Sequence, residues 1–210
     1  MDDLGFIHRF IPAQSPSPTR VLLLLHGTGG NEDDMVPLGR DLDPAAALLS
    51  LRGNVLENGM PRFFRRLGEG VFDEADVIRR ANELADFIAP AATKYQFDPK
   101  RLTAVGYSNG ANIAAAVLLL RPGILKAAVL FRAMVPLTPD HGPDLAGTRA
   151  LICSGERDPI IPVENAERLT AMLRAAGAEV TLRLEQATHQ LVFDEIEAAK
   201  KWLRESPGRG

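Results

Sequence analysis

The sequence predicts an α/β protein, a mostly parallel sheet covered by helices on both faces. Three observations carry that expectation. Strand-like and helix-like stretches alternate through most of the 210 residues, as a parallel sheet with crossover helices requires. Val21-Leu22-Leu23-Leu24-Leu25 is apolar at every position, as a strand buried on both faces must be. A second such run, Leu102 to Tyr107, passes through Gly106-Tyr107-Ser108-Asn109-Gly110 into the Ala-rich stretch Ala111 to Leu120, which reads as strand, tight turn and helix.

In chain order, Phe6 to Ile11 is expected to open the fold as an edge strand, ahead of a Pro/Ser-rich turn from Pro12 to Thr19. After the Leu-rich strand, Asn31, Asp33 and Asp34 are placed to cap a helix ending near Leu42. Ser50 to Arg52 reads as a short strand. Residues Gly53 to Gly70 show no clear period and are broken by glycines and Pro61; irregular stretches of this length in compact domains are commonly functional. Asp73 opens a helix to about Lys94, with Ala75, Ile78, Leu84, Phe87 and Ile88 on its apolar side. Ala127 to Phe131, Arg149 to Cys153 and Glu179 to Leu184 are the later strands. Asn165 to Ala176 is a helix stopped by Gly177, and Leu191 to Leu203 the last helix, before a frayed tail from Glu205 to Gly210. No repeat or linker divides the chain, so one domain over 1–210 is expected.

A formal net charge of −3 argues against a nucleic-acid binder, which needs a clustered basic surface; Arg62, Arg65 and Arg66 form the one tight basic group. The single cysteine, Cys153, rules out an internal disulfide and sits in a strand-like run as a small core side chain. Met1-Asp2-Asp3 lacks the basic and apolar regions of a secretion signal, and no apolar stretch approaches the ~18–20 residues of a membrane span. A cytoplasmic protein is expected.

Ser108 is the first candidate for chemistry. At a strand-to-helix turn a serine adopts strained backbone angles that push its hydroxyl outward, and the flanking glycines let strand and helix approach closely. An activated serine needs a base, a carboxylate to hold that base, and N–H donors where oxyanion charge develops. On a sheet with such an elbow the partners follow as acid, then histidine, in loops after later strands. Asp158, in Ser154-Gly155-Glu156-Arg157-Asp158-Pro159, and His189 fill those places. His8 and His26 precede the serine, His141 sits in a turn-like segment between serine and acid, and Asp194 follows His189 too closely at a helix start. Glu156 is the near competitor for the acid, but Pro159 stiffens the position of Asp158. The oxyanion donors are expected to be the backbone N–H groups of Asn109 and of Thr28, in the loop His26-Gly27-Thr28-Gly29-Gly30. No lysine of a phosphate-binding loop follows those glycines. Arg52 or Arg62 is placed to meet a polar or anionic part of a substrate, and Met60, Phe63, Phe64 and Met134 to line its apolar pocket, in the loops 53–70 and 132–142.

These residues resemble the phospholipase/carboxylesterase family of α/β-hydrolases, which includes acyl-protein thioesterase-like enzymes and small bacterial carboxylesterases. The resemblance covers nearly the whole chain. It rests on Leu23-Leu24-Leu25-His26-Gly27-Thr28-Gly29-Gly30-Asn31-Glu32, Gly106-Tyr107-Ser108-Asn109-Gly110-Ala111, Asp158-Pro159-Ile160-Ile161-Pro162 and Thr188-His189-Gln190-Leu191, with Arg52-Gly53-Asn54, Glu57-Asn58-Gly59 and Arg62-Phe63-Phe64 as a substrate-side loop. It implies an α/β-hydrolase fold without a large inserted lid, acting on a small-molecule ester of short to medium acyl length, with no metal or organic cofactor. Family habit suggests a homodimer. Thioesterases, lysophospholipases and dienelactone-type hydrolases share the constellation, and a non-catalytic binding protein on the same fold is the alternative of a different class. Where family members often carry glycine before the histidine, this chain has Thr188.

Overall fold

Uninterrupted apolar runs settle in the middle of the sheet, because a strand covered by helices on both faces has no position where a polar side chain meets water. The computed structural model describes residues 4–14, 20–68 and 70–205. In chain order its elements are β1 (His8–Ile11), β2 (Val21–Leu25), α1 (Val36–Leu42), β3 (Ala47–Leu51), β4 (Val55–Glu57), β5 (Met60–Arg62), β6 (Arg66–Gly68), β7 (Val71–Phe72), α2 (Glu74–Tyr95), β8 (Leu102–Tyr107), α3 (Asn109–Leu120), β9 (Ala127–Phe131), β10 (Arg149–Gly155), α4 (Val163–Ala175), β11 (Glu179–Glu185) and α5 (Phe193–Glu205). Seven strands form one sheet in the order β1-β3-β2-β8-β9-β10-β11. Every neighbouring pair is parallel except β1, which runs antiparallel to β3 at the edge.

Side chains alternate across this sheet and divide the core in two. Leu23, Leu25, Leu49 and Leu51 pack with α2, α3 and α4, whereas Leu22, Leu24, Leu48, Val105 and Phe131 pack with α1 and α5. The strand order reverses between β2 and β8, and ligands on open parallel sheets bind beyond the carboxyl ends of the strands at such a point. The loops after β2, β8, β9, β10 and β11 all leave from that rim.

Several boundaries differ from expectation. The strand read as Ser50 to Arg52 begins at Ala47 and is buried throughout. Helix α1 starts only at Val36, without a side-chain cap; Asn31 and Asp34 instead close the preceding turn, where the Asp33 N–H donates to Asn31 Oδ1 and the Asn31 N–H to Asp34 Oδ2. The aperiodic stretch from Gly53 is two small antiparallel ribbons, β4–β5 and β6–β7, too short to show a period. Asp73 caps α2 as expected, its side chain accepting from the Asp76 N–H, but Ala75 and Ile78 face solvent while Val77 and Ala81 take the core. The turn residues 15–19 and the tail residues 206–210 lie outside the described residues. Among those described, no helix is long and apolar enough to cross a membrane.

Candidate active site

Ser108 is forced into place by the crowding of β8 against α3. Its backbone lies at φ 52° and ψ −112°, a conformation costly for a residue with a Cβ, and its N–H donates to the Phe131 carbonyl at 2.8 Å. Gly106 permits that crowding, since a Cβ there would stand 2.5 Å from the Gly110 oxygen, and Gly110 lets α3 lie as close to the end of β2: a Cβ there would stand 2.0 Å from the Leu25 oxygen and 2.6 Å from the His26 oxygen, both backbone atoms that cannot yield. Gly110→Ala is therefore expected to destabilise the fold by about 3 kcal/mol or more, because α3 must back away from β2. Urea unfolding would measure this, and a change below about 1 kcal/mol would mean that the helix has slack.

The structure brings Ser108, Asp158 and His189 together from the ends of three strands. His189 Nε2 lies 3.0 Å from Ser108 Oγ, and His189 Nδ1 2.7 Å from Asp158 Oδ2. The Asp158 carboxylate is fully buried, and its other oxygen accepts from the N–H groups of Ile160 and Ile161 at 2.8 and 3.1 Å. Glu156, the competing carboxylate, points into solvent and is bonded to Gln186. His8 is engaged with Tyr95 and the Phe6 carbonyl, and His141 is exposed.

Thr28 and Asn109 line the same cavity as the serine. Asn109 opens α3, where backbone N–H groups have no intrahelical carbonyl to bond. Thr28 lies in a turn closed by the Gly30 N–H on the Gly27 carbonyl. His26 anchors that turn: its Nδ1 meets the Gly27 carbonyl at 2.6 Å and its Nε2 accepts from the Gly53 N–H at 3.0 Å. Acceptance at Nε2 requires the neutral ring, and burial accordingly holds the His26 pKa below the ordinary imidazole value.

A cavity of about 270 Å³ opens on the serine hydroxyl. Its wall includes Arg62, Arg66, Phe72, Tyr107, Met134 and Ile160, beside Thr28, Asn109 and His189. Of the residues expected to meet substrate, Met134 and Arg62 line this cavity, and Arg52, Met60, Phe63 and Phe64 are not among its lining residues. Arg52 is held by Glu32 through bonds of 2.5 and 2.8 Å, and Met60 packs beside Gly29 outside the cavity. Phe63 and Phe64 are core residues, 2 % and 0 % exposed, Phe63 near the His26 ring and Phe64 edge-on to Phe72. Both lie in the bend between β5 and β6, which turns them inward.

Two asparagines on α3 hold the cavity walls. Asn109 Oδ1 accepts from the Phe63 N–H and Asn112 Oδ1 from the Met134 N–H, both at 2.7 Å. Asp76, at the start of α2, secures the second ribbon. Burial alone would raise its pKa, but the Arg65 N–H and the guanidiniums of Arg79 and Arg80 outweigh that and hold it low. Sequence reasoning missed Asn112, Arg66, Tyr107 and Arg132. For Asn112 the available signal was an amide inside an otherwise apolar helix.

Comparison with known proteins places this geometry in context. A model of the phospholipase/carboxylesterase family matches residues 7–206. The MhqD protein of Bacillus subtilis (strain 168) is 52% identical over 186 residues, covering 89% of this chain and 93% of that protein. The crystal structure of the Bacillus cereus carboxylesterase is 49% identical, with a TM-score of 0.92 over 96% of this chain and 94% of that one. The carboxylesterase from Mesorhizobium loti is 33% identical, with a TM-score of 0.90 over 98% and 97%. YahD, solved with malic acid, is 29% identical with a TM-score of 0.88 over 96% and 100%.

Proposed function

The chain belongs to the phospholipase/carboxylesterase family of α/β-hydrolases and is a serine hydrolase, and we propose that it is a carboxylesterase hydrolysing esters of short to medium acyl groups through Ser108, His189 and Asp158. The observation that carries the reading is the relay of 3.0 and 2.7 Å from Ser108 Oγ through the His189 ring to a buried carboxylate.

Ser108 Oγ attacks the ester carbonyl carbon while its proton passes to His189 Nε2. The tetrahedral oxyanion is met by the N–H groups of Asn109 and Thr28. Collapse expels the alcohol, which takes the proton back from His189, and leaves an acyl group on Ser108. Water then attacks that acyl group by the same route, releasing the carboxylic acid and restoring the serine. Asp158 keeps the imidazole proton on Nδ1 and stabilises the ring when it is doubly protonated. Loss of one oxyanion donor typically costs ~2.7–4 kcal/mol of transition-state stabilisation, so the turn at Thr28 carries a large share of the rate beside the relay.

The cavity supports a short substrate with a polar end. Its volume lies just below the ~300–1,000 Å³ usual for drug-sized ligands. Two guanidiniums, Arg62 and Arg66, and no carboxylate stand among its described lining residues. Arg62 donates to Thr28 Oγ1 at 2.6 Å, and Glu57 lies behind both arginines at 3.3 and 2.8 Å. YahD, solved with malic acid, gives an example of a small carboxylic acid with a related protein. Esters bearing a carboxylate are therefore expected to be favoured over neutral ones of equal length. Arg66→Gln should lower the ratio of kcat/KM for p-nitrophenyl hemisuccinate over p-nitrophenyl butyrate by about 5- to 10-fold; an unchanged ratio would remove Arg66 from substrate recognition.

The wider test is covalent labelling by a fluorophosphonate, together with a panel of p-nitrophenyl esters of increasing chain length, acyl thioesters and lactones. Labelling at Ser108 and turnover concentrated on short esters are expected. An inert serine would sink the hydrolytic assignment, and faster turnover of thioesters or lactones would replace the ester reading.

A further inference from the structure

The three consecutive carbonyls around the histidine are each bound by a side chain from the sheet. Arg132 Nε donates to Thr188 O at 2.9 Å, Tyr107 Oη to His189 O at 3.0 Å, and Arg132 Nη2 to Gln190 O at 2.6 Å. Tyr107 ends β8 and Arg132 follows β9, so both reach the histidine loop, which follows the edge strand β11, from the middle of the sheet. The guanidinium is fully buried and held in a fork by Glu195, at 2.6 and 2.8 Å. Glu195 also accepts from the Val192 N–H at 2.7 Å, which ties the start of α5 to the same centre. Asp158 Oδ2 is 4.0 Å from Arg132 Nε.

Neutralising a carboxylate does not require this arrangement. A buried Arg–Glu pair is a poor source of net stability, since desolvation offsets most of the attraction. Arg132 also sits at φ 57°, a left-handed conformation costly for a residue with a Cβ and seldom kept without a purpose. Only a planar fork can bond two carbonyls on either side of one residue while pairing with a carboxylate behind it. Thr188 lies within the bonded triplet, so the loop is fixed by its bonds.

We propose that Arg132 is the positioning residue of His189: its guanidinium grips the Thr188 and Gln190 carbonyls and, with Tyr107, holds the ring between Ser108 and Asp158. The proposal rests on the reading of His189 as the base. It predicts an effect on turnover and little on substrate capture, because the cavity walls hang from α3 and the ribbons.

The test compares Arg132→Lys, Arg132→Met and His189→Ala for kcat, KM, melting temperature and rate of fluorophosphonate labelling. Lysine keeps the charge beside Glu195 and loses the fork, so it decides the matter even if the methionine variant does not fold. Arg132→Lys is expected to lower kcat and the labelling rate in parallel, by about 30- to 100-fold, the scale at which an ~1 Å misplacement is felt, with KM within about threefold. In the His189→Ala background the same change should have no further effect on kcat, since there is no ring left to position. Wild-type kcat in Arg132→Lys, a change confined to KM, or an undiminished loss in the His189→Ala background would overturn the proposal. Wild-type turnover in His189→Ala itself would instead mark failure of the catalytic reading on which it depends.

Discussion

Ser108→Ala is expected to lower kcat for p-nitrophenyl acetate by about four to six orders of magnitude, leaving only what the oxyanion donors and binding supply. The fold should survive, because the side chain makes one bond, to His189, and the strained turn is set by backbone contacts. Ser108→Gly makes the case sharper. It removes the nucleophile equally but relieves the φ 52° strain, offset in part by the added freedom of the unfolded chain, for a net gain of about 1 kcal/mol over the alanine variant. In a chain of 210 residues that corresponds to about 2–4 °C in melting temperature. Calorimetry beside an esterase assay reads both. Residual activity above one percent of wild type in both variants, with contaminating esterases excluded, would take the nucleophile away from Ser108.

Asp158→Asn should reduce kcat by about 10³- to 10⁴-fold through the tautomer of His189. Asp158 Oδ1 is committed to the N–H groups of Ile160 and Ile161, and Oδ2 to His189 Nδ1. An asparagine must keep its oxygen toward the two N–H groups to preserve the loop, which turns its NH₂ toward Nδ1. Two donors then face each other unless the ring moves its proton to Nε2, where it can no longer accept from Ser108. Glu156→Gln, at the exposed competitor, is the control and should leave kcat within about twofold. A fall of less than tenfold in Asp158→Asn would show that the carboxylate serves the loop alone.

The sheet was legible because burial on both faces writes itself as unbroken apolar runs: β8 and β9 fall on the residues expected, and β10, α4 and β11 within about two. The elbow, Asp158 and His189 were legible because chain order and turn chemistry restrict what a serine can use. The cavity wall was not. Phe63 and Phe64 are apolar in a loop whether they face substrate or core, and only the path of the bend after β5, which turns both inward, decides. Arg132 was hidden for a different reason: its value lies in two carbonyls more than fifty residues away, and carbonyls carry no signature in the choice of amino acid.

The two asparagines of α3 likewise recognise main chain rather than side chain. The groups they receive, the N–H of Phe63 and the N–H of Met134, belong to the main chain, and every residue but proline offers one. The segments that shape the substrate chamber are thus plugged into sockets indifferent to side-chain identity. Selection, or a protein engineer, is free to vary the other side chains of either segment and retune selectivity, provided that Arg62, which bonds Thr28, and Arg132, which grips the histidine loop, stay in place.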